Sequence, residues 1–394
     1  MSSKKRNGII TAIICFAVFF AGTYAQYQIS PLSLSIMEQL GINEVQYSRL
    51  FTVCMFPALL LSIVSGLLCD KYGVKATVGI ALILSAAGIV LRVFTNSYTA
   101  TLGCMLVLGL GCVFMTASSA KVLSPHFTPE RLTSIMGPVT AGTSVAMFVA
   151  MATTAWLPGV KAAYIAAAVL AVIVLSAWYI FVKNPEKAPS EPVKNVSMKD
   201  SLVTCLKSRN VWLGGLTLMF VLVPQVIISS FLPQALQLEK GMTGVTAGYI
   251  TSAYMLGSIA GSMAGPKVFA KFKAKRAMLT TLSVLTAVIA SFGWHIGNPV
   301  LLAIVMVICG FSINTFMPIV YAMPISLPEI GPVYAGTAGG LSATIQMIGA
   351  TIIPSYIIAP IFGSNFKGLF IAAGCFALCS VVSANLLPLF GKKK

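Results

Sequence analysis

Charge is what this sequence has least of. Asp, Glu, Lys and Arg together make up 9% of its 394 residues, where a water-soluble chain carries roughly 25%. Acids are scarcer still: Glu38, Glu44, Asp70, Glu130, Glu186, Glu191, Asp200, Glu239 and Glu329. None falls inside a long apolar run, so no carboxylate is placed to carry a proton across a bilayer. The two histidines, His126 and His295, sit at the ends of such runs and read as surface residues. A Gly-rich phosphate loop is missing, which excludes ATP as an energy source. The nine cysteines scatter with no metal or disulfide spacing and read as small apolar fillers. No metal, no cofactor and no catalytic residue is expected.

Apolar residues fill the space that charge leaves. The chain is 57% hydrophobic with a mean hydropathy of +0.92, more apolar surface than a water-soluble fold can hide. A net charge of +17 could suggest nucleic acid. The basic residues instead lie in short clusters between apolar runs, the pattern of the positive-inside rule. A bilayer is the expected partner, and nucleic acid is not.

Twelve runs are long enough to span: about 8–36, 45–69, 76–95, 99–123, 132–157, 161–182, 211–237, 245–269, 277–296, 299–323, 334–361 and 366–390; each offers ~20 mostly apolar residues. Lys4, Lys5 and Arg6 precede the first, but its apolar core is too long for a leader peptide. With the N-terminus inside, only Arg49, Arg92, Lys161, Lys240 and Lys367 of the 26 basic residues fall outside. Both termini are therefore expected in the cytoplasm, with the protein a multi-pass monomer in a bacterial cytoplasmic membrane.

The polar stretch "VKNPEKAPSEPVKNVSMKDSLVTCLKSRN" (182–210) reads as a linker with an amphipathic helix at 197–208. It sets an N-terminal bundle at 1–182 and a C-terminal bundle at 211–394 on either side of the 183–210 linker. The bundles echo each other at an offset near 200. "EQLGINEVQYSRL" after span one answers "LEKGMTGVTAGYI" after span seven, and "AGTSVAMFVA" in span five answers "AGTAGGLSAT" in span eleven. The fold expected is all-α, twelve transmembrane helices in two pseudo-symmetric six-helix bundles. Parallel halves with a site between them are a secondary-transporter plan.

Between spans two and three lies "GLLCDKYGVK" (66–75). It resembles the signature loop of the major facilitator superfamily, G-x-L-x-D-[RK]-x-G-[RK]-[RK], through Gly66, Leu68, Asp70, Lys71, Gly73 and Lys75. Gly66 suits close helix packing and Gly73 a tight turn; Asp70 is placed to cap span three or meet a basic residue. The resemblance implies that Gly66, Asp70, Lys71, Gly73, Lys75 and Arg131 form a conformational latch between the halves. "SSAKVLSPHFTPERLTSIMGPVTAGTSVA" (118–146) is similar to the span four to five junction of the oxalate:formate, nitrate and cyanate-type porters, with Lys121, Phe127, Pro129 and Arg131 in the shared places. "LRVF" (91–94) resembles the cyanate-type porters. The arginines that nitrate porters carry in spans two and eight, and the span-eleven lysine of oxalate exchangers, have no counterpart deep in this chain.

A charge at the bilayer centre costs from ~2.5 to over 10 kcal/mol. Arg92 and Arg49, near run ends, read as outer anchors. The lack of a mid-membrane base favours a monovalent, delocalised or neutral substrate held by hydroxyl, amide and aromatic groups. The expected substrate-binding set is Tyr24, Tyr27, Gln28, Lys121, Gln225, Tyr249, Tyr254, Asn314 and Gln346. Tyr24, Tyr27 and Gln28 are spaced to share one helix face. Pro224 is placed to break span seven beside Gln225; Pro57, Pro318 and Pro354 are further kink candidates. The sequence therefore reads as a carrier of a small solute, a monovalent organic or inorganic anion before others, by exchange or substrate-linked proton symport. A multidrug-type or neutral-solute exporter driven by proton antiport is the alternative.

Overall fold

A computed structural model describes residues 3–127, 129–182, 198–272 and 274–387. The chain divides into two compact units, Met1–Glu191 and Pro192–Lys394. Unit 1 holds α1 (Ser3–Tyr27), α2 (Ser33–Leu40), α3 (Glu44–Thr52), α4 (Phe56–Tyr72), α5 (Val74–Leu91), α6 (Tyr98–Leu123), α7 (Pro129–Thr153) and α8 (Val160–Phe181). Unit 2 holds α9 (Met198–Lys207), α10 (Arg209–Lys240), α11 (Gly244–Lys271), α12 (Lys275–Phe292), α13 (Pro299–Ala322), α14 (Gly331–Ile352), α15 (Ala359–Phe362) and α16 (Phe366–Leu386).

Among the described residues, 11 helices are long and apolar enough to cross a membrane. The exception among the twelve expected spans is α11. Its 28 residues reach about 42 Å, but it is rich in Gly, Ser, Thr and Tyr. That composition suits a helix that meets another helix rather than lipid. Gly257, Gly261 and Gly265 recur every fourth residue along it and face Val307, Phe311 and Thr315 of α13. With α11 counted, each unit contributes six spans.

Proline acts unevenly. A 3₁₀ turn, Val53–Met55, precedes Pro57 between α3 and α4, and a π-helical segment, Ile353–Ile358, contains Pro354 between α14 and α15. Pro224 and Pro318 lie inside uninterrupted helices. The expected break of span seven at Pro224 is thus not present. Neighbouring helices bury α10 on every side from Val221 to Leu236, and that packing holds the helix across the proline.

The internal repeat appears in local structure. Gly41 and Gly241 both end helices in the left-handed region, at φ 62° and 61°. Asn43 and Thr243 then start the next helices, each side chain accepting a hydrogen bond from the backbone N–H three residues on. The same helix pairs pack in both units: α1 on α7 as α10 on α14, α5 on α8 as α12 on α16, and α4 on α6 as α11 on α13. Gly109 of α6 faces the Cys54 carbonyl, and Gly310 of α13 faces that of Tyr254. The spans five and eleven pair differently from the sequence match. Gly142 packs against the Phe16 carbonyl, whereas on α14 it is Gly349 that packs against the Met219 carbonyl.

The α4–α5 turn rests on Gly73, at φ 88°, a conformation that L side chains rarely adopt. Gly73, rather than Asp70, is the N-cap of α5. Thr77 fastens the turn, its Oγ1 donating to the Gly73 carbonyl at 2.9 Å. The side chains of Asp70, Lys71 and Arg131, and the surroundings of Gly66, lie outside the described residues. Lys75 is half-buried.

Unit 2 includes the amphipathic helix expected in the linker, as α9. Cys205 buries in a core cluster with Val211, Val320, Leu327 and Ile330, and its thiol faces the Tyr334 carbonyl. Glu329 Oε1 accepts hydrogen bonds from Ser208 Oγ at 3.0 Å and Asn210 Nδ2 at 2.7 Å. Burial pulls the Glu329 pKa up, but the hydrogen bonds from Asn210, its own backbone and Ser208 outweigh that and hold the carboxyl below its ordinary value.

Candidate functional site

Helix α1 stops at Tyr27, and the chain runs through turns to Ser33 before α2 begins. The break leaves carbonyls without their i+4 donors. Ile29 N–H turns to the Gln26 carbonyl, so the Ala25 carbonyl needs another donor. Arg92 supplies it, Nη1 donating at 2.7 Å. The same guanidinium donates from Nη2 to Gln28 Oε1 at 3.1 Å and from Nη1 to Met105 Sδ at 3.4 Å. Its carbon lies 4.3 Å from the centre of the Tyr164 ring, a cation–π distance. Four helical segments, α1, the turn after α5, α6 and α8, therefore meet on one arginine.

Arg92 is fully buried. The outer-anchor reading is overturned, because its charge does not reach solvent. Its partners are all neutral. The negative end of the α1 dipole offsets part of the charge, and the Tyr164 ring offsets more. The described residues of unit 2 hold no equivalent: Gly293 opens the 3₁₀ turn after α12, where Arg92 opens the one after α5. There α10 runs unbroken through Pro233. The arginine and the helix break occur together in one unit and are absent together from the other.

The α1 candidates keep their helical spacing but meet different partners. Tyr24 is half-buried and continues a stacked aromatic stripe, with Phe16–Phe20 centres at 6.3 Å and Phe20–Tyr24 at 5.7 Å. Tyr27 is buried edge-on against Phe51, 5.3 Å away. Gln28 is buried on Arg92. Tyr27 is the last residue of α1, and Gln28 N–H still reaches the Tyr24 carbonyl at 3.1 Å, so helical spacing relates all three. Lys121 is half-buried in the last turn of α6, sixteen residues or about 24 Å along the axis from Met105, so it does not join the Arg92 cluster.

In unit 2, Gln225 and Asn314 are buried, and Asn314 Nδ2 faces its own helix at the Gly310 carbonyl. Gln346 is also buried; its Oε1 accepts from Tyr321 Oη, and its Nε2 points to Met317 Sδ. Gln346 thus ties α14 to α13, and the sequence reading missed Tyr321. Tyr254 is buried at the α11–α13 seam, while Tyr249 is 47% exposed. Five residues on a helix turn them well away from each other, so these two do not form one contact face. A void of about 20 Å³ in unit 1, bounded by Gly22, Ser85, Ile89 and Cys112, is water-sized and too small for a solute, which needs some hundreds of Å³.

Residues 13–354 match the family model of the Major Facilitator Superfamily. The chain belongs to that superfamily. Among solved structures, the chain resembles a bacterial homolog of the human lysosomal transporter Spinster in an inward-facing, unoccupied conformation (12% identical, TM-score 0.74, covering 98% of this chain and 96% of that one). It also resembles the nucleoside transporter NupG (11%, TM-score 0.76, 98% and 100%) and the human organic anion transporter MFSD10 (12%, TM-score 0.68, 97% and 100%). A stretch of 148 residues is 24% identical to an uncharacterized protein of Archaeoglobus fulgidus, covering 38% of this chain and 66% of that relative. The protein is a multi-pass membrane transporter of the major facilitator fold, and not an enzyme.

Proposed function

We propose that this major facilitator protein carries a small monovalent anion, organic or inorganic, by alternating access. The observation that carries the reading is the charge inventory of the described residues. One arginine, Arg92, is buried among neutral partners. The described carboxylates, Glu38, Glu44, Glu239 and Glu329, are exposed or half-exposed at helix ends and loops. A single uncompensated positive charge suits one negative charge and not two. With no buried carboxylate among the described residues, exchange or symport with a proton riding on the substrate is the coupling favoured. Tyr24 in unit 1, and Gln225 and Asn314 in unit 2, are neutral candidates for substrate contact, and both termini are cytoplasmic in this reading.

The test is counterflow in proteoliposomes. Unlabelled formate, nitrate or cyanate inside should accelerate uptake of the same labelled anion, and an imposed pH gradient should matter little for nitrate. Absence of trans-acceleration for every small anion would sink the proposal. A second reading, a neutral-solute or multidrug-type exporter driven by proton antiport, is favoured by the half-buried Phe16–Phe20–Tyr24 stripe, whose ring faces suit a flat apolar solute. Proton-driven efflux of an aromatic dye would support it.

A further inference from the structure

We propose that the Arg92–Gln28 cluster in unit 1 is a binding site for one small, planar, monovalent anion. This inference rests on the anion reading of the function and gives it a location. It begins from an excess of donors. A guanidinium carries five N–H groups and a carboxamide two more. The acceptors that meet them are the Ala25 carbonyl, Gln28 Oε1 and Met105 Sδ. Arg92 Nε and Gln28 Nε2 are buried and have no hydrogen-bond partner. Both residues are 0% exposed, and a buried donor left unmade is costly.

The direction of approach is restricted. Tyr164 covers one face of the guanidinium, and the N–H donors point outward in its plane, where a hydrogen-bonding ligand meets them. Within that plane, Nη1 is engaged by Ala25 and Met105, and one side of Nη2 by Gln28. Nε, which has no partner, and Nη2, which has one acceptor for two hydrogens, form the guanidinium edge with donors to spare. Two acceptor atoms on one side of a planar anion fit that edge as a bidentate pair. Gln28 Nε2, on the carboxamide already held by Nη2, supplies a further donor beside it. One negative charge neutralises Arg92; a dianion leaves a net charge in a buried site, which selects against sulfate.

Gln28→Glu provides the decisive test, because it puts a carboxylate beside the guanidinium and removes Nε2. The purified full-length protein is melted in sodium formate or sodium nitrate, with sodium gluconate holding ionic strength constant and sodium sulfate as the dianion control. Wild type should show a saturable rise in melting temperature with formate or nitrate and none with sulfate. Gln28→Glu should melt higher than wild type without anion and lose the response. Gln28→Leu, which removes the carboxamide with its N–H donors and leaves the guanidinium charge, should weaken the apparent affinity about tenfold or more.

The proposal is overturned if wild type shows no anion-specific shift, since Arg92 is then a cap for α1 with water on its spare donors. It is equally overturned if Gln28→Glu keeps the wild-type response, whatever transport shows. A wild type with the Gln28-dependent shift but no anion counterflow upholds the site and sinks the transport reading instead.

Discussion

At Gly109, a hydrogen rather than a methyl decides how closely α6 approaches the 3₁₀ turn ahead of α4. A Cβ there would strike the Cys54 carbonyl, whereas a Cβ on Gly103 of the same helix would meet open space. Gly109→Ala should therefore lower the unfolding temperature, at a cost of about 1–3 kcal/mol. Gly103→Ala should leave it unchanged or raise it through better helix propensity. Thermal unfolding of both variants in the same detergent checks the pair; equal melting of the two refutes the close approach. Residues of this kind are only half legible in a sequence. Gly73 was readable because its turn has a signature. The setting of Arg92 was not, because its contacts to Ala25 and Gln28 bridge 67 and 64 positions and depend on where α1 stops. A signal did exist: at the repeat offset Arg92 answers Gly293, and one of two equivalent helices alone is broken.

Among the elements, α9 was legible from its amphipathic pattern, but its clasp was not, since Glu329 lies 121 and 119 positions from Ser208 and Asn210. Glu329→Ala should release the C-terminal end of α9 and expose Cys205, now buried, to a maleimide reagent. Labelling no faster than in wild type would show that core packing alone holds the helix. The pH dependence has a definite sign. The folded carboxyl titrates below its ordinary value, so its contribution is present above the unfolded pKa, about 4.3, and is lost as pH falls through the lower folded value. The ratio of the wild-type to the Glu329→Ala labelling rate at each pH, which cancels the thiol's own ionisation, should thus be low and flat from pH 5 to 7 and rise toward one in strong acid.

For the whole molecule, the spans and the repeat were legible because length and hydropathy repeat twelve times and the cap residues Gly41 and Gly241 recur. Which polar residues meet a solute was not, because a lone polar side chain in a span looks the same whether it faces a solute or ties two helices, as Gln346 does through Tyr321. Sidedness can be tested by epitope insertion. A tag after Gly159 should be reachable in intact cells, and a tag within 183–197 only after permeabilisation; the reverse result would invert the topology. The latch carries a separate expectation: Asp70→Asn should slow transport while leaving substrate affinity near wild type. Loss of binding in proportion to transport would place Asp70 at the substrate instead.

The glycine seam between α11 and α13 also bears on how the chain enters its membrane. A ribosome delivers α11 to the translocon before α13 exists, and α11 is the span whose composition gives the least incentive to partition into lipid. It must then be held near the insertion channel until α13 arrives to cover Gly257, Gly261 and Gly265, or be anchored by the basic cluster that ends it. Chains truncated after α11 should insert that segment poorly in a glycosylation-reporter assay. Extension through α13 should rescue it, and Gly261→Leu, by spoiling the fit, should block the rescue even though leucine makes the segment greasier. Assembly of the second bundle is on this view a pairwise event, with its order written into the spacing of three glycines.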